Sequence, residues 1–159
     1  MQPLPIDDPP PTEHTLADQL DLDVLAFVET FGAGWNEVPV MHDFDADPSG
    51  GWESLFEPWH VAGHPAQLML RVSNETIELA VPRGEWRDLG RVTLVPSQVV
   101  SLTRPLDPAA CEAVVRDLLR RRRASLFFCR YCRVLTPPEY RQSAGVCMGC
   151  ASEWLGVVY

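Results

Sequence analysis

Four of the five cysteines stand in two Cys-x-x-Cys pairs, Cys129 with Cys132 and Cys147 with Cys150, with fourteen residues between the pairs. Thiolates are soft anionic ligands, and four of them complete the tetrahedral sphere of a zinc ion at about 2.3 Å each. Each Cys-x-x-Cys turn presents two sulfurs to one ion, and two turns joined by a longer segment grip it from both sides. The gap falls one residue short of the roughly 15–20 residues common between such pairs. Two other thiol chemistries compete. A dithiol redox motif needs a single pair at the start of a helix in an α/β unit and makes no use of a second. An iron–sulfur cluster takes four thiolates, usually at other spacings. Zinc is therefore the expected cofactor, with Cys129, Cys132, Cys147 and Cys150 as its ligands. A full protein ligand set leaves no open position for water, which makes the expected role structural and not catalytic.

The segment "RVLTPPEYRQSAGV" between the pairs has room for a short hairpin turning at Pro137 and Pro138. After it, "CMGCASEWLG" predicts a helix with Ala151, Glu153, Trp154 and Leu155 inside it and Gly156 ending it. The second pair then sits on the first helical turn, where outward N–H groups and the positive dipole end stabilise thiolates. A Cys-x-x-Cys knuckle, a hairpin and a helix carrying the second pair resemble the treble-clef class of zinc fingers; a plain zinc ribbon is the other arrangement these ligands serve. The resemblance covers about the last thirty residues. It implies that Cys129 and Cys132 are the knuckle ligands and Cys147 and Cys150 the helix ligands. It departs at Arg133, where many such knuckles carry glycine. So short a module cannot build its own core, and metal binding would supply most of its folding free energy, on the order of 10 kcal/mol. The apolar tail "WLGVVY" is expected to pack back on the module or on the helix before it.

The elements that must carry this module read as an α+β fold. Residues 1–14, with five prolines, predict a flexible leader. Thr15 and Asp18 form an [ST]-x-x-[DE] helix start, and Leu20, Val24, Phe27, Val28 and Phe31 recur at helical spacing up to Gly32. Residues 32–65, rich in Gly, Asp, Pro and Trp, read as long loops with short elements. "AQLMLRV", "TIELAV", "RVTLV" and "VVSLT" read as strands, the last two separated by Pro96 and Ser97. They predict a small antiparallel sheet with the first helix packed on it. Asp107 as N-cap and Pro108 at the first helical position open a second helix, whose face is Cys111, Val114, Val115, Leu118 and Leu119. On that face Cys111 reads as a small buried hydrophobe and not as a ligand. The expected organisation is a leader over 1–14, an α+β domain over 15–106, a connecting helix over 107–124 and the zinc module over 125–159.

Weaker constellations read as scaffold. Asp45, Asp47 and Ser49 with Gly50 open like a calcium loop, with Asp43 beside them. The twelfth position, which should be a bidentate Glu, is Phe56, so a solvated acidic loop is expected. His60 and His64 are four apart, but Gly63 and Pro65 argue against a helix that would bring them together, so both read as loop histidines. No phosphate-binding glycine loop, G-x-S-x-G or H-E-x-x-H motif is found. An enzymatic site would have to be assembled from scattered residues, for which the Trp-rich segment 35–64 is the candidate.

Hydrophobic residues make up 46% of the 159, enough for a core. No apolar run spans a membrane and no signal-peptide pattern opens the chain, so a soluble, cytoplasmic protein with reduced thiols is expected. All thirteen basic residues are arginine. Residues 1–100 carry seventeen Asp and Glu against four Arg, a net −13; residues 101–159 carry five against nine, a net +4. The leading functional expectation is a non-enzymatic interaction or regulatory protein, with a protein partner and no membrane. The alternative is a nucleic-acid-binding regulator using Arg116, Arg120, Arg121, Arg122, Arg123, Arg130 and Arg133, which the acidic front of the chain would oppose.

Overall fold

The computed structural model describes residues 11–39, 57–87 and 90–159. Among these residues the mixed α/β expectation holds: four α-helices accompany a five-stranded antiparallel sheet and a C-terminal cysteine cluster. The acidic loop residues Asp43, Asp45, Asp47 and Ser49 lie outside the described residues, as does most of the leader.

The first helical pattern divides in two. Helix α1 covers Pro11–Gln19 and α2 covers Val24–Phe31, so Thr15 is a mid-helix residue and not an N-cap, and residues 11–14 are helical. The break has a local cause. Asp21 adopts φ 56°, Leu22 N–H donates to the Ala17 carbonyl at 3.0 Å, and Asp21 N–H donates to Asp18 at 3.2 Å. These are the two bonds of a Schellman stop, with Asp21 in the left-handed position that glycine more often fills. Asp23 then caps α2, its carboxylate accepting the Ala26 N–H at 2.9 Å. Leu16, Ala17, Leu20, Phe27 and Phe31 are buried, so both helices serve one core. Glu13 is buried too: its Oε1 accepts the N–H of Gly34 at 2.6 Å and of Trp35 at 2.9 Å, which ties α1 to the start of the sheet.

The sheet is a meander in the order β1 (Trp35–Glu37), β2 (His60–Ala62), β3 (Leu68–Val72), β4 (Thr76–Arg87) and β5 (Arg91–Thr103). The two strands expected around Pro96 are one long strand. Its register against β4 shifts between Leu79 and Val81, where β5 holds an extra residue and Gln98 takes φ 51°. A bulge on an edge strand tolerates a proline, because the missing N–H costs no ladder bond on the open side. Leu68, Leu70, Ile77, Leu79 and Val81 face the helices.

Helix α3 runs Pro108–Ser125 from the expected cap, with Asp107 Oδ1 accepting the Ala109 N–H at 3.2 Å. Cys111, Val115 and Leu118 are buried against the sheet and α2. The same stripe continues to Arg122, eleven residues beyond Cys111, so this candidate nucleic-acid contact is a buried residue.

Candidate metal centre

The C-terminal module is built from two small hairpins and a helix. Strands β6 (Phe127–Phe128) and β7 (Leu135–Thr136) pair, with Cys129 and Cys132 in the turn between them. Within that turn Arg133 N–H donates to the Cys129 carbonyl at 2.9 Å and Cys129 N–H to the Val134 carbonyl at 3.1 Å. Arg133 itself sits at φ 61°, so the left-handed position that favours glycine is occupied here by arginine. The hairpin expected at Pro137 and Pro138 lies elsewhere. Those prolines lead into a 3₁₀ turn, Pro138–Tyr140, because proline fixes the backbone without supplying an N–H. The second hairpin pairs β8 (Arg141–Ser143) with β9 (Val146–Cys147), and Gly145 at φ 69° permits its turn. Helix α4, Met148–Leu155, follows directly. Cys147 is its N-cap, the sulfur accepting the Cys150 N–H at 3.4 Å, and Gly156 closes it in a left-handed cap.

These elements bring the Sγ atoms of Cys129, Cys132, Cys147 and Cys150 within 4.8 Å of one another. A tetrahedral ion with bonds of about 2.3 Å requires sulfur–sulfur edges of about 3.8 Å. Cys132 and Cys147 are 3.9 Å apart, and all five cysteines are free thiols, so the donor set fits such an ion. Arg130 N–H donates to the Gly145 carbonyl at 2.8 Å and Cys147 N–H to the Cys129 sulfur at 3.5 Å, which lock the two turns together.

The close sulfurs perturb one another's ionisation in opposite directions. N–H donation from Cys147, reinforced by the backbone of Cys132 and Tyr131, pulls Cys129 down to about 6. Burial, together with the neighbouring sulfurs, pushes Cys150 up to about 12. Four thiolates this close repel one another, and a divalent cation at their centre is what lets all four ionise. Little else holds the module: its buried cluster is Cys129, Val146, Cys150 and Ala151, with Phe127, Cys147 and Val157 packed beside it. The tail divides, with Val157 against the cluster and Trp154, Leu155, Val158 and Tyr159 exposed.

The module is joined to the sheet through Glu139, which lies between the two cysteine pairs. Its carboxylate takes Arg122 Nη2 at 3.0 Å and Nη1 at 3.4 Å, and the two side chains are 5% and 2% exposed respectively. Arg122 Nε donates to the Ala66 carbonyl at 2.9 Å, and Trp86 Nε1 donates to the Glu139 carbonyl at 2.8 Å. Trp86 also meets Tyr140 edge-on at 5.6 Å. Gly84 makes room for this contact, since a Cβ there would stand 2.4 Å from Glu139 Cγ. Arg122 is therefore a buried structural charge, not a surface contact residue. The sequence signal for it is its place on the Cys111–Val115–Leu118 stripe; nothing comparable marks Glu139.

The other arginines of α3 are exposed and shared. Arg116 pairs with Glu112 at 2.6 Å, Arg120 and Arg121 with Asp117, and Arg123 donates to the Gln67 amide at 3.2 Å. Arg120 and Arg121 hold the Asp117 carboxyl below its usual range. Arg130 stacks over Tyr131, 5.3 Å from the ring centroid. His60 is a buried strand residue paired with Leu70, not a loop histidine, and His64 lies apart on a cleft between sheet and module. That cleft, of ≈ 630 Å³, is also lined by Val92, Leu94, Val134 and the matched Arg122 and Glu139. Among the described residues no helix is long and apolar enough to cross a membrane. Comparison with protein-family models, with curated proteins and with solved structures gives no match.

Proposed function

We propose that the protein is a non-enzymatic zinc protein of the cytoplasm, in which one structural zinc holds a treble-clef module in shape for recognition of a protein partner. The observation that carries this reading is the convergence of four sulfurs within 4.8 Å, two from a hairpin turn and two from the first turn of a helix. Zinc suits an all-thiolate tetrahedron, and four ligands leave no position for substrate. The left-handed Arg133 keeps the knuckle turn that glycine more often supplies, and the helix that carries Cys147 and Cys150 supports the treble-clef reading over a plain ribbon. Phe128, Tyr131 and Trp154 are exposed on the module, and aromatic residues are enriched where proteins meet.

Elemental analysis of the purified chain is the test. One zinc per chain and no visible absorption are expected; iron with visible absorption would identify a cluster in its place. Cys129→Ser with Cys150→Ser should abolish the metal. A chain that purifies without metal, or with its thiols joined as disulfides, overturns the reading. For the partner, Phe128→Ala with Trp154→Ala should leave the zinc content unchanged and remove a stoichiometric co-purifying protein.

A further inference from the structure

The four sulfurs are not equivalent. Cys129 is 0% and Cys150 6% exposed, whereas Cys132 is exposed and Cys147 half-buried. Hydrogen bonding divides them differently, and only Cys132 is both exposed and without an N–H donor among the described residues. Cys129 accepts the Cys147 N–H at 3.5 Å and Cys147 accepts the Cys150 N–H at 3.4 Å. Among the described residues no N–H donates to the Cys132 sulfur within bonding distance, and Cys132 and Cys147 Sγ lie 3.9 Å apart. An N–H directed at a thiolate draws off electron density and lowers its nucleophilicity, while burial blocks approach. Both effects leave Cys132 as the sulfur that an incoming electrophile meets first.

We propose that Cys132 is a modification site for peroxides and other soft electrophiles, and that its oxidation joins it to Cys147 and releases the metal. The proposal rests on the zinc reading above. In the first step the Cys132 thiolate attacks one oxygen of hydrogen peroxide, the O–O bond breaks, and Cys132 becomes a sulfenic acid as hydroxide leaves. In the second, the Cys147 sulfur attacks the Cys132 sulfur, the S–O bond breaks, and a second hydroxide leaves. Two thiolates and one peroxide thus give one disulfide and two hydroxides, the two electrons passing from sulfur to oxygen. The chain then offers two thiolates where it offered four, too few to keep a zinc ion in a tetrahedral protein site. The bond formed crosses between the Cys-x-x-Cys pairs. Nearness in sequence would favour Cys129 with Cys132, or Cys147 with Cys150; the fold favours the two accessible sulfurs.

The test uses the full zinc-loaded chain. Substoichiometric iodoacetamide, followed by peptide mass mapping, should label Cys132 on the order of tenfold faster than Cys129, Cys150 or the buried Cys111. Stoichiometric hydrogen peroxide should give the Cys132–Cys147 disulfide as the main product, with one zinc released to a chromogenic chelator per disulfide. Dithiothreitol with added zinc should restore the starting state. Uniform labelling, a disulfide within either pair, a disulfide to Cys111, or oxidation without zinc release overturns the proposal while leaving the zinc reading intact. A chain that carries no zinc before oxidation overturns both.

Discussion

Replacing Glu139 with glutamine should separate the module from the sheet without changing a single cysteine. The change conserves size but removes the charge that answers Arg122. With the two side chains 2% and 5% exposed, solvent cannot screen the guanidinium that remains. Removing one partner of a buried ion pair costs about 3–5 kcal/mol. Taking ~3 kcal/mol and a shift of about 2–4 °C per kcal/mol for a chain of this size, the unfolding midpoint should fall by about 6–12 °C. Arg122→Met should cost a similar amount by leaving the carboxylate alone. The double change Arg122→Met with Glu139→Leu exchanges the pair for apolar contact and should return to within about 1 kcal/mol of the parent, since buried pairs roughly break even against hydrophobic replacements. Denaturant titration of the zinc-saturated protein, followed by circular dichroism, measures all four forms. The reasoning is refuted if the single changes cost less than about 0.5 kcal/mol, or if the double change costs their sum.

The same variant probes the metal. Glu139 lies between the two cysteine pairs, so docking it orders the segment that brings them together. Coupling of this kind is reciprocal: whatever zinc adds to docking, docking adds to zinc affinity, typically about 5–150-fold. Competition with a chelator of known affinity should show that loss in Glu139→Gln.

Gly84→Ala tests the same contact from the sheet side. Its Cβ would stand 2.4 Å from Glu139 Cγ and 2.7 Å from Val92 Cγ1, and an overpacked contact costs about 1–3 kcal/mol, read as a lower unfolding midpoint. Acid should weaken the fold through His60. Burial lowers its pKa below the ordinary 6.5, against the opposing pull of Glu37 and of the backbone at Pro58 and Leu70, and among the described residues its buried Nδ1 has no partner. The unfolded chain then takes up a proton below about pH 6.5 while the folded chain resists, so stability declines as pH falls from neutrality until the folded histidine itself titrates. In His60→Phe that part of the slope between pH 7 and 5 should vanish; an unchanged slope would place the acid sensitivity elsewhere.

The legible parts of this chain were those specified by neighbours in sequence. The thiolate array, the Asp107–Pro108 helix start and the Cys147–Gly156 helix each depend on a few adjacent residues, and each stands where its chemistry places it. What escaped were choices that local pattern leaves degenerate. Leu20, Val24, Phe27 and Phe31 keep helical spacing across a real break, and only the left-handed turn at Asp21 reveals two helices. Pro96 reads as a strand end unless the strand is known to lie at the sheet edge beside a bulge. Strands β1 and β2, three residues each, are too short for alternation to register, and their pairing partners set them. Arg122 and Glu139 escaped because a charge in sequence reads as solvated; the helical stripe ending at Arg122 was the available warning.

Charge bears on what the module can meet. Residues 101–159 total +4, but four thiolates around one divalent ion would add ~2 negative charges, leaving roughly +2. That total already counts Glu112, Asp117 and Glu139, which pair with Arg116, Arg120, Arg121 and the buried Arg122, so the remainder rests on other arginines, among them Arg123, Arg130, Arg133 and Arg141. Residues 1–100 add −13 in the same chain. Tight binding to a nucleic-acid backbone needs several unpaired cations along a strand and loses affinity steeply with salt. The loaded module offers instead exposed aromatic and aliphatic side chains, Phe128, Tyr131, Val134 and Trp154, among a few balanced charges. That composition suits a protein surface, where aromatic anchors in a desolvated centre carry most of the affinity. For the proposed protein partner, binding should persist from low to moderate salt and should be weakened more by Phe128→Ala than by Arg130→Gln; steep salt dependence would argue for a polyanion in its place.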